Sequence, residues 1–242
     1  ELVGGNALVE MGTFLAILGG TITAGLLFDL SAAKYWIAAG VIFFAVLGYF
    51  SSRFIPTAEA GDPQLTINWN PLTELVNTLR NARQQRAVYL SIMAISWFWF
   101  LGASYLTQFP NLARDHLGGN PQIVTLLLTL FSVGVAAGSL LCEKLSGHKI
   151  ELGIVPIGSL GMSIFGVDLY FAISSLNISS DLSALAFVQN ADHWRMMADI
   201  ALISLFGGLY IVPLQALIQQ RSDEKMRAQT IAANNVMNAL FK

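Results

Sequence analysis

The amino-acid sequence predicts an all-α protein, a polytopic bundle of transmembrane helices. Apolar residues make up 55% of the 242 residues and charged residues 12%, whereas about 25% of the residues in a typical soluble domain are charged. Six segments are also apolar over the roughly 20 residues that a helix needs to cross a bilayer. Because backbone groups in lipid must pair within their own segment, each of these spans is predicted to be helical.

The six predicted spans share this length and composition. In chain order they cover residues 7–28, 34–52, 87–109, 122–142, 152–176 and 196–219. None of them alternates polar and apolar residues as a half-buried strand does. A seventh apolar pattern begins near Ile231 and is too short to cross a membrane.

Basic residues are concentrated in alternate loops, which predicts the orientation of the spans. The loops after the second, fourth and sixth spans hold nine of the thirteen Lys and Arg residues, namely Arg53, Arg80, Arg83, Arg86, Lys144, Lys149, Arg221, Lys225 and Arg227. The positive-inside rule places these loops in the cytoplasm, so the first span runs outward. In the first loop, Leu72, Leu75, Val76 and Leu79 recur at helical spacing and predict an amphipathic helix.

The long loop also predicts the domain organisation. Many transporters consist of two helical bundles joined by one such connection. On that template, residues 1–52 are the last two helices of an N-terminal bundle, 53–86 the cytoplasmic linker between bundles, and 87–242 an incomplete C-terminal bundle. Further helices are then expected before Glu1 and after Lys242.

Small residues recur every four positions on two spans and predict close helix packing. One set is Gly12, Ala16, Gly20 and Ala24, and the other is Gly134 and Gly138. In lipid, small residues let helix backbones approach closely, and packing replaces the hydrophobic effect as the driving force. The same surfaces would also allow helices to slide during alternating access, and the two interpretations are compatible.

Acidic residues within the spans are candidates for function. A carboxylate in hydrocarbon is costly and is expected to face a partner or a wet cavity. Glu10 near the cytoplasmic end of the first span is a candidate gating residue, and Asp168 is a candidate for the bundle interior. Asp199 is interpreted as an interfacial charge. Gln108, near the outer end of its span, is predicted either to contact a polar headgroup or to cap the helix.

Two further patterns have structural and functional interpretations. The stretch "GSLLCEKLSGHK" contains Glu143, Lys144, Gly147 and Lys149. Its glycine permits a tight turn, and its charges are predicted to hold adjacent helix ends together on the cytoplasmic side.

Trp97 and its neighbour Trp99 lie mid-span rather than at the interface where tryptophan is enriched. This position is typical of a cavity wall, of core packing or of a lipid-facing surface.

The sequence is poorly supplied with catalytic chemistry. His116, His148 and His193 do not combine with Cys142 in a metal-binding spacing, and no phosphate-binding loop is present. No catalytic residue, metal or cofactor is therefore predicted. The net charge of −2 gives no indication of nucleic-acid binding.

Several segments resemble lysophospholipid transporters of the major facilitator superfamily. "NALVEMGTFLAILGGTITAGLL" resembles their fifth helix, "GGLYIVPLQALIQQR" their tenth, and "IAANNVMNALF" the start of their eleventh. The 138–149 stretch resembles the superfamily's loop motif with one extra residue before the acid. The resemblance implies a partial major facilitator fold, from about helix five to helix eleven.

"WFWFLGASYLTQFP" and "IAANNVMNALF" are similar to transporter domains fused to an acyltransferase and an acyl-carrier-protein synthetase. This resemblance implies facilitated flipping of a lysophosphatidylethanolamine-like lipid across a bacterial inner membrane by alternating access. Membrane lipids, the lysophospholipid and a fused or associated acyltransferase are the implied partners. The substrate-binding or gating residues are then expected among Asn6, Glu10, Gln108, Asp168, Gln215, Asn234 and Asn235.

The sequence departs from the family pattern at two places. In the seventh helix a basic residue is expected, and Leu106, Thr107 and Gln108 stand there. The fifth helix lacks the Gly-Pro pair typical of antiporters. Two alternatives stay open: a transporter of another solute, such as a drug or sugar, and a transporter-like module that only anchors or feeds a fused acyltransferase.

Overall fold

The computed structural model describes residues 2–27, 32–57, 70–118, 121–176 and 183–241. All regular structure in these ranges is helical, as the sequence predicts. The nine α-helices are α1 Leu2–Leu27, α2 Ala33–Ser52, α3 Pro71–Gln84, α4 Arg86–Asn111, α5 Pro121–Leu145, α6 Ile154–Ser174, α7 Ala184–Gln189, α8 Trp194–Arg221 and α9 Arg227–Phe241. Six helical segments of the described chain are long and apolar enough to cross a membrane.

Two helix limits differ from the predicted ones. α1 begins at Leu2 rather than at residue 7, because the Asn6 amide donates to the Leu2 carbonyl oxygen at 2.8 Å and stays within the helix. α4 continues through Pro110 to Asn111 and is followed by a π-helical turn, Leu112–His116. Proline removes one backbone donor, and the wider turn accommodates the interruption.

α8 is the central helix of the bundle. It packs against α5, α6, α4 and α1, and 67% of its most apolar stretch is buried. α2 is the opposite case: it contacts chiefly α1, and none of its residues is buried among the described residues. The core therefore lies around α8, on one side of α1.

Glycines bring α8 into contact with its neighbours. A Cβ atom added at Gly138 of α5 would overlap the Leu205 carbonyl oxygen, and one added at Gly134 would overlap the Ser204 hydroxyl. From α6, a Cβ at Gly158 would lie 2.9 Å from the Phe206 carbonyl oxygen. These positions require the smallest side chain, because backbones in direct contact leave no room for a methyl group.

The predicted small-residue stripe of α1 does not contact another helix of the described chain. Gly12, Ala16 and Gly20 are exposed, and no atom of the described neighbours lies within 4 Å of a Cβ added at either glycine. The side chain of Ala24 lies outside the described part. Packing through this stripe is therefore not seen within the described chain and stays a prediction for a surface outside it.

Candidate functional site at the α1–α8 interface

A row of polar side chains joins α1 to the C-terminal half of α8. Asn6 and Gln219 exchange two hydrogen bonds: Asn6 Nδ2 donates to Gln219 Oε1 at 3.1 Å, and Gln219 Nε2 donates to Asn6 Oδ1 at 3.0 Å. One turn along, Gln215 Nε2 donates to Glu10 Oε1 at 2.5 Å. Both helices use a four-residue step, so the two pairs stack along antiparallel helices.

The two α1 side chains of this row are buried, and Gln215 and Gln219 of α8 are partly buried. Glu10 is 3% exposed and Asn6 is 5% exposed. Burying a polar group is costly unless it is hydrogen-bonded, and a carboxylate is the most costly case. The amides of Gln215 and Gln219 therefore hold α1 against α8 in this conformation, and separating the helices would leave the carboxylate in need of another donor.

A second contact closes the interface at the start of α1. Glu143, near the end of α5, lies so close to Gly4 that an added Cβ would be 2.5 Å from its Oε1 atom. The same Oε1 atom is 3.2 Å from His148 Nδ1. Gly147 and His148 both have positive φ, 56° and 62°, which makes the tight turn that returns His148 to Glu143. Lys144 and Lys149 of this motif are exposed.

The remaining sequence-predicted residues lie elsewhere. Gln108 is exposed near the end of α4, where its Oε1 is 3.4 Å from Asn111 Nδ2. Asp168 is not in the bundle interior, because it is partly exposed and forms an ion pair with Arg195. Asn234 is buried on α9, and its Oδ1 atom has no hydrogen-bond partner among the described residues, whereas Asn235 is exposed. The structure therefore brings together only Asn6, Glu10 and Gln215 of the predicted set.

Sequence reasoning missed Gln219 and the Glu143–Gly4 contact. The spacing could have indicated Gln219, since it follows Gln215 by one helical turn and shares its face. It also missed Asn238, a buried residue whose Oδ1 accepts from Ser96 Oγ at 3.0 Å between α9 and α4. Contacts between helices distant in sequence carry no local signal.

An apolar cavity lies apart from the polar row. It has a volume of about 440 Å³ and opens between α4, α6 and α8. Its walls are apolar, glycine or hydroxyl-bearing, and include Trp97, Tyr105, Met162, Ser163 and Gly207. The two mid-span tryptophans separate here: Trp97 lines the cavity, whereas Trp99 stacks on Phe14 of α1, with ring centroids 6.2 Å apart.

The membrane-length helices define a multi-pass membrane protein, and the polar row joins two of them through side-chain hydrogen bonds. The family model of the Major Facilitator Superfamily matches residues 1–241. The chain belongs to the major facilitator superfamily, in agreement with the resemblance of its fifth-, tenth- and eleventh-helix segments.

Several curated relatives carry the name lysophospholipid transporter LplT. The chain is 24% identical over 239 residues to the lysophospholipid transporter LplT of Klebsiella pneumoniae subsp. pneumoniae. It is 27% identical over 241 residues to the proteins of that name from Enterobacter sp. and Cronobacter sakazakii. Each match covers 98% of this chain and 55% of the relative, so the chain spans about half the length of these relatives. No solved structure matches the chain significantly.

Proposed function

We propose that this chain is the gate-bearing part of a transporter that moves lysophospholipids across a bacterial inner membrane by alternating access. The observation that carries the proposal is the buried Glu10 carboxylate, held by the Gln215 amide between two membrane-length helices. A carboxylate at such a place is a functional candidate because its burial is costly. The relatives named as lysophospholipid transporters supply the substrate class.

The geometry supports a gate on the predicted cytoplasmic side. Three contacts of α1 follow one another along its first ten residues: Gly4 with Glu143, Asn6 with Gln219, and Glu10 with Gln215. All three break if α1 moves away from α5 and α8. In the open state, water or the polar headgroup of a lipid would satisfy the freed amides and carboxylate, so opening and substrate binding are coupled through the same atoms.

The lipid's two ends have different requirements. Its headgroup needs hydrogen-bonding groups such as those of the polar row, whereas its single acyl chain is stable against apolar helix surfaces or in hydrocarbon.

A helical bundle belongs to the inner membrane, because outer-membrane proteins are built as β-barrels. Once inside, a lysophospholipid becomes a membrane phospholipid by acylation, so a fused or associated acyltransferase is the expected consumer.

The test uses the full-length protein in proteoliposomes with labelled lysophosphatidylethanolamine added outside. Movement of the label to the inner leaflet is measured for the wild type, for Glu10→Gln and for a matched control, Glu151→Gln, in an exposed loop. We expect transport that is lost in Glu10→Gln and retained in Glu151→Gln. No movement above empty liposomes would contradict the lipid function. Equal transport by all three proteins would leave that function in place and remove Glu10 from the gate.

A further inference from the structure

The exposed face of α3 combines apolar and basic side chains. Leu72, Val76, Arg80 and Arg83 follow one another at steps of four, four and three residues, which places them on one face of the helix. All four are exposed, with Leu72 at 73% and Val76 at 56%. Large apolar side chains are thus presented to the surroundings beside two guanidinium groups.

The opposite side of α3 is fixed to the bundle. Thr78 and Ala82 are buried, and α3 packs against α4 and α9. The helix begins at a defined cap, where Asn70 Oδ1 accepts from the backbone N–H groups of Leu72 and Thr73 at 3.1 and 3.3 Å. The exposed face therefore has a set direction relative to the bundle, which a loosely attached linker would lack.

The position of α3 along the membrane normal follows from its neighbour. α4 begins at Arg86, which is exposed, and its first turns lie at the predicted cytoplasmic boundary. Arg83 lies over the ring of Tyr89, 5.5 Å from the centroid, so the end of α3 is held at the level where α4 enters the membrane. Arg80 and Arg83 of α3 and Arg86 at the start of α4 are then close together in the chain, next to the predicted cytoplasmic boundary.

We infer that this face of α3, defined by Leu72, Val76, Arg80 and Arg83, binds anionic phospholipid headgroups of the cytoplasmic leaflet. Leu72 and Val76 insert at the boundary between headgroups and acyl chains, as the apolar face of an interfacial helix does. The arginines pair with lipid phosphates, since positively charged groups next to the membrane are attracted to an anionic leaflet. The inference does not depend on which solute the protein transports.

The test places an environment-sensitive fluorophore on the full-length protein in nanodiscs. Leu72→Cys carries the label on the proposed face, and Asn77→Cys, also exposed on α3, carries it away from that face. The single native cysteine, Cys142, is buried. Nanodiscs contain either zwitterionic lipid alone or an equal mixture with phosphatidylglycerol, and nitroxide lipids measure the depth of the label.

In the anionic nanodiscs the fluorescence emission of the label at position 72 is expected to shift to shorter wavelength and to be quenched by the nitroxide lipids. The label at position 77 is expected to stay in water. Replacing Arg80 and Arg83 by Gln is expected to weaken the apparent affinity for phosphatidylglycerol by about tenfold or more. The exposed pair Lys144→Gln and Lys149→Gln is the charge-matched control and should leave that affinity unchanged. The binding should also weaken as added salt shortens the screening length.

Two results would overturn the inference. A label at position 72 that remains in water in both kinds of nanodisc would show that the face does not meet the membrane. A label that is shielded equally in anionic nanodiscs, neutral nanodiscs and detergent would show that protein, and not lipid, covers it. Thermal unfolding of the arginine variants separates a loss of lipid binding from a loss of folding.

Discussion

Asn6 and Gln219 donate to each other across the interface of α1 and α8, with N···O distances of 3.1 and 3.0 Å. A reciprocal amide pair satisfies one donor and one acceptor on each side chain, so replacing either residue leaves one donor and one acceptor of its partner without that hydrogen bond. We expect Asn6→Ala and Gln219→Ala to be coupled by about 0.6 to 1.7 kcal/mol, the range of interhelical hydrogen bonds in membrane proteins. A double-mutant cycle on thermal unfolding measures this coupling, and additive effects would contradict it.

The hydrogen bond between Glu10 and Gln215 is likewise predicted to stabilise the closed state of the α1–α8 interface. Gln215→Leu removes the donor to Glu10 Oε1. A hydrogen bond to a charged group contributes about 1.5–3 kcal/mol, so the closed state should be destabilised by roughly a factor of ten or more. The measurement is the rate at which a water-soluble maleimide modifies a cysteine placed at Ala7, which is buried in the closed bundle, with and without the Gln215→Leu change. Unchanged accessibility would show that this pair does not hold the interface.

The Glu143–Gly4 contact predicts a difference between two adjacent glycines. Gly4→Leu would push Glu143 away, because the first added carbon already lies 2.5 Å from its carboxylate oxygen, whereas a Cβ at Gly5 meets nothing within 4 Å. We expect Gly4→Leu to reduce the transport rate severalfold and Gly5→Leu to have little effect. Equal losses in both variants would indicate a general effect on α1 and not a specific closure.

The glycine contacts of α8 predict a sharp loss of stability. A methyl group at Gly138 would overlap the backbone oxygen of Leu205, which cannot rotate away as a side chain can. Overpacking of this kind typically costs about 1–3 kcal/mol. Gly138→Ala should therefore lower the unfolding temperature in detergent, while Gly12→Ala, with open space around it, should leave it unchanged. The opposite order would contradict the packing described here.

The Asp168–Arg195 ion pair is expected to contribute little. Its side chains are 38% and 54% exposed, and exposed pairs are typically worth about 0–1 kcal/mol. Asp168→Asn should consequently leave both transport and thermal stability close to the wild type. A large loss of transport at unchanged stability would return Asp168 to the list of substrate-contacting residues.

The local sequence pattern predicted the helices but was insufficient to predict which helices contact each other. The apolar lengths predicted all six spans within a few residues, because crossing lipid imposes the same length on each. Gly138 was predicted as a packing residue from its spacing with Gly134, and both lie against α8. Gly12 has the same spacing but faces away from the described helices, since periodicity defines a face without saying what lies opposite it.

In the candidate site, too, the sequence predicted a residue but not its partner. Glu10 stood out because a carboxylate in a membrane-length segment is costly, a rule that needs no partner. Its partner Gln215 lies 205 positions later, and only the folded bundle brings the two together. Asp168 met the same rule and has a different role, because Arg195 neutralises it at the partly exposed junction of α6 and α8.

The equal spacing of the two polar pairs has a mechanical consequence. Asn6 and Glu10 are four residues apart, and so are Gln215 and Gln219, with the order reversed along the antiparallel helix. If α1 were displaced by one helical turn toward its own N-terminus, about 5.4 Å, Glu10 would come opposite Gln219 and could accept the same kind of hydrogen bond. The interface thus allows two registers with similar hydrogen bonding. A one-turn shift of α1 would replace Gln215 by Gln219 as the donor to Glu10, so the carboxylate would again be hydrogen-bonded after the shift.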